Sequence, residues 1–177
     1  MRKTQKRLLL VVFASLFFMA SVTNIRTVSS AVTAKLLITP EVVSANPDQE
    51  FTIRVEVSQV TGLFAWEAIV HWNSTLLDYV NVSWNNTFLK QQPQGTFDTA
   101  IDNPGNVTLA QTTLGEHEGL TGSGILVYIK LRVKTWGKTF LSFTNTSLLD
   151  GQTLWYNPAT GRQEKVWTKI PHTIKNG

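Results

Sequence analysis

The chain of 177 residues contains no cysteine. That excludes disulfide staples, thiolate nucleophiles and Cys-ligated metal sites, so a stable fold must rest on its packed interior. Charge is also sparse, at 16% of residues, and its sign is unevenly placed. Five of the 16 basic residues (Arg2, Lys3, Lys6, Arg7, Arg26) lie before residue 32, where there is no acid, leaving 16 − 5 = 11 basic against 12 acidic residues beyond. The formal charge of +4 therefore belongs to the N-terminus, and no basic patch remains to suggest a nucleic-acid partner. No stretch after that point shows a convincing helical period.

What the N-terminus does have is the layout of an export signal. "MRKTQKR" is a basic leader, "LLLVVFASLFFMASV" (Leu8 to Val22) is apolar, and "VSSAVTA" supplies small residues for cleavage after Ala31 or Ala34. The apolar run falls short of the roughly 20 residues of a spanning helix, so membrane attachment would need an uncleaved leader or further chain beyond the C-terminus. Residues 1–31 are thus expected to be a signal peptide and 35–177 a single domain, about 145 residues and large enough for its own core. The protein is expected to be secreted or displayed at the cell surface. Five Asn-x-Ser/Thr sequons, at Asn73, Asn81, Asn85, Asn106 and Asn145, fit an exported glycoprotein of a eukaryote or an archaeon.

The domain reads as all-β. "FTIRVEV" places Phe51, Ile53, Val55 and Val57 on one face, and "ILVYIKLRV" places Ile125, Val127, Ile129, Leu131 and Val133 inward with Leu126, Tyr128, Lys130 and Arg132 outward. Further strands are expected over Leu36–Ser44, Leu63–Trp72, Leu77–Trp84, Phe97–Ile101, Val107–Leu114 and Thr139–Phe143, followed by a hairpin from about Thr153 to Ile170. Turn signals such as "VTG", "DNPGN", "LTGSG" and "NPATGR" separate them. Eight or nine short amphipathic strands call for a two-sheet antiparallel sandwich, since a lone sheet would leave its apolar face wet.

The stretch "WEAIVHWNSTLLDYVNVSWNNT", residues 66 to 87, holds three tryptophans and three of the sequons. Tryptophan can be a platform for a sugar ring or simply fill a core. Strict alternation puts Phe64, Trp66, Ala68, Val70 and Trp72 on the bulky, uncharged side, hence inward, and Ala65, Glu67, Ile69 and His71 outward. In the next strand Val80, Val82 and Trp84 share one side, while Tyr79, Asn81 and Ser83 point away.

The order of these motifs resembles the cohesin family. "FTIRVEVSQVTGLFAWEAIVHWNSTLLDYVNV" is similar to the family's V-x-V-x-V strand, turn and third strand. "TFDTAIDNPGNVTLAQTTLGEHEGLTGSGILVYIKLRVKTWGKTFLSF", residues 96 to 143, is similar to its F-D-x-A strand, polar turn, long apolar strand ending V-K and final G-x-T segment. The resemblance spans Leu36 to the C-terminus and is closest to archaeal-type members. It implies a nine-stranded jelly-roll sandwich and a non-catalytic role in attachment to a dockerin-type protein partner. The shared architecture with cellulose-binding modules makes polysaccharide the alternative partner, and a structural piece of a larger surface protein is a third reading.

The family's docking platform is one sheet face that includes the third, fifth, sixth and eighth strands. Carried onto this chain, the expected contacts are Ala65, Glu67, Ile69, His71, Leu109, Gln111 and Thr113. The family commonly presents Asn and Asp on the third strand, where this chain has Ala65 and Glu67. The family also closes with a strand beside the first one, whereas this chain stops at "IKNG", so the final strand is expected to be missing: either the domain is truncated at the C-terminus or the first strand is left open-edged for another chain to fill.

Signs of catalysis are few. Ser123 in "TGSG" lacks the Gly-x-Ser-x-Gly elbow and reads as a turn residue. "GEHEG" (Glu116, His117, Glu118) is the one cluster of acids and imidazole, but neighbours on an extended loop diverge and no second cluster would complete a metal or acid-base site. No cofactor is expected, and Trp136, Trp155 and Trp167 lie in or beside turns, where exposed rings could stack on sugar.

Overall fold

A computed structural model describes residues 33–115 and 117–177, without the side chains of residues 152–156 and 163–165. The leader, Glu116 and the Trp155 ring lie outside the described part. Nine strands follow in order: β1 (Ala34–Thr39), β2 (Glu50–His71), β3 (Leu77–Ser83), β4 (Thr96–Asn103), β5 (Asn106–Thr113), β6 (Leu120–Val133), β7 (Ser142–Asn157), β8 (Arg162–Lys169) and β9 (His172–Lys175), with a short 3₁₀ turn at Phe88–Gln91.

The two strands expected over 51–57 and 63–72 are one 22-residue strand. The "VTG" signal is a set of bulges rather than a turn: Gln59 and Gly62 take positive φ (57° and 68°), and the register against β6 shifts on either side of Val60. Side chains of β6 hold the freed amides, Ser123 Oγ accepting from Gln59 N at 2.9 Å and Thr121 Oγ1 from Gly62 N at 3.0 Å. Ser123 is therefore a structural staple. Bulges bend and twist a strand, and here they carry β2 from one sheet into the other. Its first half pairs with β1 and β6, its second with β5 and β7.

The sheets run β3-β6-β2-β1-β9 and β4-β5-β2-β7-β8, forming the jelly-roll sandwich. One core lies between them, where Leu36, Ile38, Ile53, Val55, Ile129 and Leu131 of the first sheet meet Trp66, Ala68, Val70, Val107, Leu109 and Leu148 of the second. Trp66 is buried, and Trp84, partly buried, packs against it with ring centroids 6.0 Å apart. The tryptophans of residues 66 to 84 fill space in this core.

The closing strand that the sequence left missing is present. His172–Lys175 pairs in parallel with Ala34–Leu37, and the amides and carbonyls of Leu141 and Gly177 bond each other just beyond it. Asn176 Oδ1 also accepts from Phe143 N at 2.9 Å. Four residues with a single, half-exposed isoleucine show no alternation, which is why the strand left no pattern to read.

Two parity assignments also change, both at bulges. Val55 pairs with Val127 and Glu56 with Ile125, so Leu126 is the extra residue and turns fully inward while Ile125 is only half-buried. In β3 the shift between Tyr79 and Asn81 leaves Val80 unmatched, and Tyr79 packs on the core with Val82 and Trp84. Asn81 is exposed, as expected.

Candidate partner-binding face

The outer surface of β4, β5, β2 and β7 is built by register. Ala65 lies opposite Thr112 and Leu149, Glu67 opposite Ala110 and Ser147, Ile69 opposite Thr108 and Thr144, and His71 opposite Asn106 and Ser142. On the far side of β5, Phe97 pairs with Thr112, Thr99 with Ala110 and Ile101 with Thr108. Residues directly opposite share a face, so these side chains form one surface.

In its middle is a shallow, mainly apolar depression of about 200 Å³, with Ala65 and Ala110 between Phe97, Thr99 and Thr112 on one side and Glu67, Ser147 and Leu149 on the other. The small alanines leave the space, and Phe97 stands 63% exposed beside it. Ile101, at 55% exposure, extends the apolar surface along β4. Glu67 is exposed, and His71 Nε2 is 2.8 Å from Thr144 Oγ1, which fixes the ring at one end of the face.

Four of the residues expected here, Ala65, Glu67, Ile69 and His71, do stand on this face. The other three do not: Leu109, Gln111 and Thr113 turn inward, with exposures of 0%, 2% and 3%. The β5 side chains that face outward are Thr108, Ala110 and Thr112. Gln111 is buried because both ends of its amide are satisfied. Oε1 accepts from Trp66 Nε1 at 3.2 Å, and Nε2 donates to Asp98 Oδ1 at 2.9 Å. Thr113 likewise donates to the Phe64 carbonyl at 3.1 Å. The usable signal in the sequence was Leu109, which shares parity with Val107 and so belongs to the core with it.

Asp98 on β4 sits beside this network. Its partial burial works to raise the carboxyl pKa, but hydrogen bonds from Lys90, Thr96 and Gln111, with the nearby Lys90 charge, overcome that and hold it below the ordinary value. The carboxylate thereby pins the platform's edge strand to the 3₁₀ turn and to the interior.

His117 lies in the segment just before β6. Its imidazole stacks on Phe64 at 4.7 Å and 13°, Nδ1 is 2.7 Å from the Glu118 carbonyl oxygen, and no cluster of potential metal ligands occurs among the described residues. Of the turn tryptophans, Trp136 is 71% exposed, whereas Trp167 packs edge-on against Phe64 at 4.8 Å.

The cohesin domain model matches residues 37–155, well over half of the chain. The chain belongs to the cohesin family. Cohesin domains are non-catalytic binding modules. Solved cohesins have the same fold: the seventh ScaB type I cohesin from Pseudobacteroides cellulosolvens superposes with TM-score 0.63 at 14% identity, covering 82% of this chain and 89% of that one. A non-cellulosomal cohesin from the hyperthermophilic archaeon Archaeoglobus fulgidus gives 0.61 at 14% identity, over 82% and 88%. A type I cohesin–dockerin complex from Clostridium thermocellum gives 0.59 at 12% identity, over 82% and 90%. No curated protein sequence matches.

Proposed function

We propose that this cohesin domain is an exported attachment module that binds a dockerin-type protein through the outer face of β4, β5, β2 and β7. The observation that carries the reading is the depression over Ala65 and Ala110, with exposed Phe97 beside it and polar Glu67, Thr99, Thr112 and Ser147 around it. An apolar centre inside a polar rim is what a specific protein interface requires. Because Ala65 and Glu67 stand where the family commonly places Asn and Asp, the partner differs from a standard dockerin in the groups that meet β2.

Isothermal titration against a panel of purified dockerin modules tests this, using the native domain and the Phe97→Ala and Ala110→Arg variants. Saturable binding to a dockerin that both variants weaken is the expected result. Failure of every dockerin to bind, or binding that neither variant changes, overturns it.

Export rests on the leader pattern. Cleavage after Ala31 leaves β1 whole, whereas cleavage after Ala34 removes a buried residue of that strand, which supports the first site. Asn73, Asn81, Asn85 and Asn145 are exposed, which supports glycan attachment there. Half-buried Asn106 is opposite His71, so a glycan on it would rise at the edge of the platform. N-terminal sequencing and intact-mass measurement of the protein from its source check both points.

A further inference from the structure

A second concavity, sharing no residue with the platform, lies between the segment after β1, the turn after β2 and the segment joining β6 to β7. Its volume is about 320 Å³, at the lower end of the ~300–1,000 Å³ usual for small-ligand sites. Trp136 and Phe140 line it at 71% exposure each, with Val42 at 82%. Glu41, Lys138 and Thr139 also line it.

We propose that this cavity binds a neutral saccharide, with the Trp136 indole as the platform for one pyranose ring. Lys138 Nζ lies 5.4 Å from the Phe140 ring centroid, so a cation already attends that ring. The Trp136 ring has no such neighbour among the described residues. A pyranose suits what is left: its C–H face packs on an indole, and its hydroxyls meet carboxylate, ammonium and hydroxyl groups at the edge. A wholly apolar occupant would strip water from Glu41, Lys138 and Thr139 and return no hydrogen bonds. The wall carries one charge of each sign, and Lys175 pairs with Glu41, so the site does not select an ionic ligand.

The segment bearing Trp136 is held in place before any ligand arrives. Lys134 Nζ donates to the Ser74 carbonyl at 3.1 Å and pairs with Asp78 at 3.0 Å. Thr139 Oγ1 accepts from Asn73 N at 3.3 Å. Gly137 packs so closely on Leu76 that an added Cβ would come within 2.6 Å of its Cδ2 atom. A platform fixed in advance loses little entropy on binding, which suits a ligand that makes few contacts.

The test is calorimetric and fluorescence titration of the full chain with cellohexaose, xylohexaose, chitohexaose and maltohexaose. Saturable binding of at least one hexaose is expected, weakened about tenfold or more in Trp136→Ala, less in Lys138→Ala, and unchanged in Phe97→Ala. An exposed ring can be removed without opening the core, and an unchanged melting temperature confirms that the variant folds. The proposal is overturned if none of the four binds saturably, if Trp136→Ala binds as the native chain does, or if an uncharged apolar peptide occupies the cavity in their place. Phe97 is the control because it serves the protein-binding face, so failure of one site leaves the other's test intact.

Discussion

Trp66 and Gln111 stand opposite each other across the β2–β5 pairing, and the indole N–H donates to the amide oxygen at 3.2 Å. Both are buried to within 2% exposure, so the glutamine is an interior residue on a strand whose other face belongs to the proposed partner platform. Replacing it by leucine keeps the bulk but leaves the indole N–H without an acceptor. The Gln111→Leu variant is expected to lose about 1–3 kcal/mol of stability, measured by urea unfolding, while platform residues such as Phe97 stay exposed.

Asp98 links stability to pH. Its folded pKa lies below the unfolded value of about 3.9, so the stability it contributes is fully present above that pH and is lost as pH falls through the lower, folded value. Asp98→Asn should therefore be less stable than the native domain at neutral pH, by about 1–2 kcal/mol. The gap should narrow below pH ~4 as the native carboxylate takes up its proton. Chemical unfolding at a series of pH values reads this directly.

Ala110 has no bulk to spare on the platform and its side chain points outward from β5. Ala110→Arg fills the depression without entering the core. Stability should change by no more than about 0.5 kcal/mol, while affinity for the protein partner falls about tenfold or more. Paired thermal melts and titrations separate the two effects.

Gly119 lies where a Cβ would stand 2.1 Å from the Gly62 carbonyl oxygen. Both groups belong to backbone, so no side chain can rotate away. Gly119→Ala should cost about 1–3 kcal/mol through strain at the bulged part of β2, seen as a lowered melting temperature. Gly124→Ala provides the comparison, since its nearest obstacle at 2.7 Å is the Phe88 side chain.

Removing residues 172–177 deletes β9 and its pairing with β1, and frees the amides of Leu141 and Phe143. The shortened domain should melt at a lower temperature and self-associate, because an uncovered β1 edge can pair with another chain. Light scattering and size-exclusion chromatography check the second outcome.

Alternation in "FTIRVEV" and "LFAWEAIVHW" was enough to assign the inward faces of β2, because side-chain direction repeats every two residues and the bulky uncharged set is unambiguous there. The same rule gave the sandwich class, the absence of a helical core and the outward position of Ala65, Glu67, Ile69 and His71. It failed where a bulge inserts a residue, at Leu126 and near Tyr79, because an extra residue reverses the parity of the positions beyond it and nothing local announces the change. It failed for Gln111 because burial of an amide depends on partners 45 and 13 positions away, Trp66 and Asp98. The short β9 and the meeting of Ala65 with Ala110, Phe97 and Leu149 were likewise beyond its reach. Strand composition is a local property, so the sequence by itself determined most of the strand segments and most of their inward faces. Pairing between distant strands is held by backbone hydrogen bonds that carry no residue identity, and so only the tertiary structure decided the closing strand and the shape of the binding surface.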